Sequence, residues 1–104
     1  MLNVVTGKDL KKIRQEAKKI AESFLAKNKN SNLENHTADT INPADLEYRA
    51  VATSLFGDLK VFIIEDFINE YPDEFVKIAG IIGASQNLFV FYEESVIKDI
   101  EKSI

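Results

Sequence analysis

Cysteine is absent from this chain of 104 residues. Disulfides and thiolate metal sites are therefore excluded, and nothing speaks for secretion. Histidine is almost absent. His36 is the single one, so a metal site or a catalytic triad would need carboxylate or serine help. No apolar run approaches the ~20 residues that a membrane-spanning helix requires. The start, Met1-Leu2-Asn3-Val4-Val5, is too short and too uncharged for a signal peptide. The expectation is a soluble, cytoplasmic chain with no membrane partner, and there the glycosylation pattern Asn35-His36-Thr37 has no meaning.

A chain of this length is expected to form one domain, 1–104, with a core that needs no staples. Its net charge of −4 is unevenly spread. Residues 1–29 carry eight basic side chains against three acidic ones, a local +5, and residues 30–104 carry −9. A basic first helix on an acidic body can steer toward phosphate or an acidic protein surface. A lysine-rich solvated face explains the same pattern.

Leu2 to Val5, ending in Thr6-Gly7, reads as a first strand. Asp9 then suits a helix N-cap, and Leu10, Ile13, Ala17, Ile20 and Phe24 form an apolar stripe running to about Lys27. Asn28 to Asn32 reads as a polar loop, and Glu34–Ala38 holds a short, weakly patterned strand. Asn42-Pro43 caps and starts a second helix with Leu46, Ala50 and Thr53 inward. Val61–Ile64 is apolar without a break, which predicts a central strand covered on both faces. Pro72-Asp73-Glu74 opens a helix with Phe75, Ile78, Ala79 and Ile82 inward and Gly83 at its end. Leu88–Tyr92 is a further buried strand, and Val96–Ile104 a final helix. Alternating strands and helices predict a layered α/β fold with a mostly parallel sheet and right-handed crossovers.

The sequence gives little support to catalysis. The turn Val4-Val5-Thr6-Gly7-Lys8-Asp9 sits where a P-loop would lie. It lacks the glycine five residues before Gly7, and Asp9 stands in place of the magnesium-binding Ser or Thr. Glu65-Asp66 and Glu93-Glu94 follow their strands as Walker B acids would, yet solvated strand ends account for both. Four acids at strand C-termini could form a metal site, but no histidine or asparagine is placed by the pattern to complete its shell. Ser54 and Ser85 have no neighbouring histidine, and no Gly-x-Ser-x-Gly elbow is present. The first helix lacks aromatics on its charged face, so base stacking is not indicated. No catalytic residue, cofactor or metal is expected.

The most informative stretch is Ser54-Leu55-Phe56-Gly57. It places two large apolar side chains at a helix-to-strand corner, a location that usually faces water. With Asp58-Leu59-Lys60-Val61-Phe62-Ile63-Ile64-Glu65-Asp66 behind it, this stretch carries a resemblance. So do the Gly7-Lys8-Asp9 turn into a long charged helix and Ser85-Gln86-Asn87-Leu88-Phe89-Val90-Phe91-Tyr92-Glu93-Glu94. Together these span most of the chain, which resembles the N-terminal domain of the delta subunit of bacterial DNA polymerase III, a clamp-loader component. The resemblance implies a three-layer, ATPase-like domain of the P-loop-less AAA+ type. It implies binding to the sliding clamp through Leu55 and Phe56, with Ser54 as a positioning residue, in order to help open the ring. Contacts with the other loader subunits would run through lid and collar domains absent from this chain, which thus reads as a piece of something longer, and DNA would be met only indirectly. The family often has a glutamine three residues before the serine, where this chain has Val51.

Burying a leucine and a phenylalanine contributes roughly 1.5–3 kcal/mol each, against an association cost of at least ~4 kcal/mol. Two anchors alone would bind weakly, so neighbouring residues must add contacts. Three other readings stand beside this one: Leu55 and Phe56 folded inward as a plug under the Val61–Ile64 strand, a nucleotide-binding ATPase-like domain, and a basic-helix nucleic-acid binder.

Overall fold

The computed structural model describes residues 1–52 and 58–94. The described chain runs β1 (Leu2–Thr6), α1 (Leu10–Lys27), β2 (Asn32–Thr37), α2 (Pro43–Val51), β3 (Lys60–Glu65), α3 (Phe67–Glu70), α4 (Pro72–Ala84) and β4 (Leu88–Glu93). The four strands form one sheet in the order β1-β4-β3-β2, and every pairing is parallel. The fold is therefore α/β, with helices on both faces of a parallel sheet. Among the described residues no helix is long and apolar enough to cross a membrane. The expected helix Val96–Ile104 lies outside the described residues, as does Thr53.

The two central strands are continuous apolar runs because both of their faces are covered. Val61, Ile63, Leu88, Val90 and Tyr92 point toward α1 and pack with Ile13, Ala17 and Ala21. Phe62, Ile64, Phe89 and Phe91 point the other way, toward Leu46 and Ala50 of α2 and Phe75, Ile78 and Ile82 of α4. Phe62 and Phe89 stack with ring centroids 4.8 Å apart, and Phe75 meets Phe91 edge-on at 5.0 Å. Ala21, fully buried, belongs to the α1 stripe although the periodicity of larger apolar residues passes over it. Alanines at 17 and 21 let the helix lie close to the sheet.

The helix starts follow their local chemistry. Asp9 accepts from the backbone N–H groups of Lys11 and Lys12 and caps α1. Asn42 and Asp45 form a reciprocal capping box on α2, with Pro43 in its first turn. The strand expected within Glu34–Ala38 is β2, longer and earlier at Asn32–Thr37. It is an edge strand. On one face its Glu34 and His36 are half-buried, while Leu33, Asn35 and Thr37 on the other are exposed. Gly83 is not the end of α4, which continues to Ala84 and is capped by Ser85. The short helix α3 has no counterpart in the sequence reading.

Candidate functional site

Ser54, Leu55 and Phe56, the expected partner-binding residues, lie outside the described residues. The two stems that carry them are described. Helix α2 leads in, its last turn closed by the Ala52 N–H on the Tyr48 carbonyl at 2.9 Å. Strand β3 leads out from Lys60. On the outer side of that last turn Tyr48 is 71% exposed and Val51 63% exposed. They are three residues apart, hence neighbours on one helix face.

Both stems are tied at their base. The side chain of Asn87, buried just before β4, donates from Nδ2 to the Arg49 carbonyl at 3.2 Å. Its Oδ1 accepts from the Lys60 N–H at 3.0 Å. The same two residues are joined again through their charged ends. Glu34 Oε1 accepts from Arg49 at 3.1 Å, and Glu34 Oε2 accepts from Lys60 Nζ at 3.2 Å. Glu34 also meets His36 Nε2 at 3.0 Å. Partial burial pushes the Glu34 carboxyl up, but the hydrogen bonds from His36 and Lys60 and the charges of Lys60 and Arg49 outweigh it and hold the group below the ordinary carboxylate range. The Arg49 guanidinium lies 5.7 Å from the centre of the Phe62 ring, which fixes the stem to the core.

At the opposite end of the sheet lies the β1–α1 turn, the position of the P-loop comparison. The Asp9 carboxylate already occupies the helix N-terminus, where a phosphate would need free N–H groups. Gly7 is required for another reason: a Cβ there would come within 2.8 Å of Ile13 Cγ2. The glycine lets the turn close onto α1.

Beside this turn, Leu10, Glu65, Asp66, Asn69, Glu93 and Glu94 line a cleft of about 280 Å³. The expectation of solvated strand ends holds only in part. Glu65 is half-buried; it accepts from the Tyr92 hydroxyl at 2.7 Å and pairs loosely with Arg14 at 3.8 Å. Glu93 is not solvated at all, being 1% exposed. Its carboxylate accepts from the backbone N–H groups of Ile68 and Asn69, the latter at 3.0 Å. Glu93 thus caps α3 from β4, because Asp66, left-handed at φ 61°, makes no cap of its own. Burial raises the Glu93 pKa to about 7 against the pull of these two N–H groups, and the Asp66 charge adds to the rise. Asn69 lies at the cleft after all, donating from Nδ2 to Asp66 at 3.3 Å. Even so, among the described residues no three acidic or histidine side chains are arranged to hold a metal ion.

No family model, no curated protein and no solved structure matches this chain.

Proposed function

We propose that this chain is a non-catalytic clamp-loader module that binds a sliding clamp through Leu55 and Phe56, on an ATPase-like core without a P-loop. The observation that carries the reading is the exposed apolar pair Tyr48 and Val51 on the last turn of α2, directly ahead of the Ser54-Leu55-Phe56 corner. Large apolar side chains that stay exposed together mark contact surfaces more often than isolated ones do. They also supply the additional contacts that two anchors would need. Val51 stands where the family often has glutamine, so this chain would offer the clamp an apolar contact in place of a hydrogen bond.

Two features weigh against the nucleotide-binding alternative. Asp9 fills the helix N-terminus that phosphate would need, and the neighbouring cleft is lined by four carboxylates. The nucleic-acid alternative rests on the exposed lysines of α1, among them Lys11, Lys12, Lys18 and Lys19. It predicts salt-sensitive binding weakened by Lys11 and Lys12 substitution.

Photo-crosslinking tests the proposal. A benzophenone side chain at position 56 is expected to capture a purified bacterial sliding clamp, while one at position 70, beyond the other end of the sheet, captures none. Equal capture from both positions, or none from position 56, would remove the clamp-binding reading.

A further inference from the structure

We infer that the outer face of α1 is a further binding surface, which takes the phosphate backbone of duplex DNA through Lys11, Lys12, Lys18 and Lys19. This surface lies wholly within the described residues and does not rest on the clamp-binding reading. It would meet DNA directly, beside any clamp contact and not in its place.

The stripe follows from the helix period. Ile13, Ala17 and Ala21 are buried against the sheet. The far side of the helix then carries Lys11, Lys12, Gln15, Lys18 and Lys19, all exposed. The two lysine pairs stand about two turns apart, or ~10 Å along the axis. None of the four lysines pairs with a carboxylate among the described residues, although Glu16 and Glu22 lie one turn from Lys12 and Lys18. Arg14 is turned toward the sheet instead, 6.0 Å from the centre of the Tyr92 ring and 3.8 Å from Glu65. The Asp9 cap and the close alanine contact with the sheet hold the helix as a firm support for its lysines. Residues 30–104 carry a local −9. A polyanion is therefore repelled by the body and steered to this face.

The make-up of the face selects the occupant. It holds no aromatic and no large aliphatic side chain. Protein interfaces centre on apolar and aromatic anchors and are depleted in lysine, so an acidic protein surface fits it poorly. Single strands are held by stacking on aromatic rings, and those are missing from the stripe. Duplex RNA is recognised through its 2′-hydroxyls as well as its phosphates, and within the stripe only Gln15 could serve them. A B-form duplex offers one negative charge per ~1.7 Å of axis. Flexible ammonium groups meet such a backbone as point charges, without reading sequence.

Fluorescence anisotropy of a short labelled DNA duplex of mixed sequence tests the inference. With about four phosphates neutralised, wild-type affinity is expected to fall roughly a hundredfold between ~50 and ~200 mM salt. Lys12→Gln with Lys19→Gln should halve that salt slope and weaken binding at least ~tenfold at ~50 mM. Lys29→Gln with Lys77→Gln removes the same charge from exposed positions outside the stripe. That control is expected to stay close to wild type. Equal weakening by the two pairs would overturn the inference, as would no duplex binding by the folded wild type at the lower salt. Tighter binding of single-stranded DNA or of an RNA duplex would overturn the occupant and with it the inference. So would a Lys12→Gln and Lys19→Gln variant that loses sliding-clamp binding but keeps its duplex affinity, since the face would then belong to a protein partner. Leu55→Ala with Phe56→Ala, folded by circular dichroism, should bind the duplex as wild type does. Failure of the clamp reading is thereby separable from failure of this one, and loss of duplex binding in that variant would count against the α1 face.

Discussion

The Glu93 carboxylate accepts the backbone N–H of Asn69 at 3.0 Å, so a residue at the end of β4 caps a helix that follows β3. This contact joins two strand ends that the chain separates by a whole helix. The burial of this carboxylate also gives the fold a pH dependence. Glu93 has its pKa raised to about 7 by burial, whereas an unfolded glutamate titrates near 4.3. Between those values the folded state binds more protons than the unfolded one, so stability falls as the pH rises. The unfolding midpoint is expected to drop from about pH 4.5 to about pH 7 and then level off as far as this group is concerned. Glu93→Gln should flatten that part of the profile. Thermal unfolding of both proteins across the range is the check, and an unchanged slope in the variant would count against the assignment.

Asp9 makes the second prediction. Asp9→Ala removes the acceptor for the Lys11 and Lys12 N–H groups and should cost about 1 kcal/mol of stability, as lost N-caps do. Denaturant unfolding would show it. Magnesium-ATP at millimolar concentration should leave the wild-type melting temperature where it is, and a clear upward shift would restore the nucleotide-binding reading.

Gly7→Ala is expected to destabilise by about 1–3 kcal/mol, in the range of overpacked sites. The added methyl would meet Ile13 Cγ2 at 2.8 Å. Combining it with Ile13→Val leaves Cγ2 in place and should not recover the loss, whereas Ile13→Ala removes the clash at the expense of a core side chain. Equilibrium unfolding of the single and paired variants separates the two effects.

Much of the architecture is legible in the sequence, for identifiable reasons. Helix α1 has a cap, an apolar stripe and a polar loop beyond it, and its expected start after Asp9 and end at Lys27 agree with the structure. Strands β3 and β4 announce themselves because a central parallel strand must be apolar on both faces. Strand β2 is harder to read because its half-buried face carries the polar Glu34 and His36, while its only large apolar residue, Leu33, lies on the exposed face. Helix α3 is too short to show a period, and its cap comes from Glu93, 24 or 25 residues further along the chain. The same distance hides the burial of Glu93, which reads as a solvated strand end beside Glu94. Asn87 reads as a turn residue, since nothing local reveals that its side chain joins Arg49 to Lys60. The apolar corner stands out by its composition, and the tying of its stems emerges only from the folded chain.

Calorimetric titration of a purified sliding clamp with this chain tests the central claim most directly, with Leu55→Ala plus Phe56→Ala as the comparison. The wild-type chain is expected to bind with a measurable heat. The double variant, folded by circular dichroism, is expected to lose about 2 kcal/mol or more, the scale of a buried hot spot, or at least roughly thirtyfold in affinity. Equal affinity of the two proteins, or no binding by the wild type, would contradict the account.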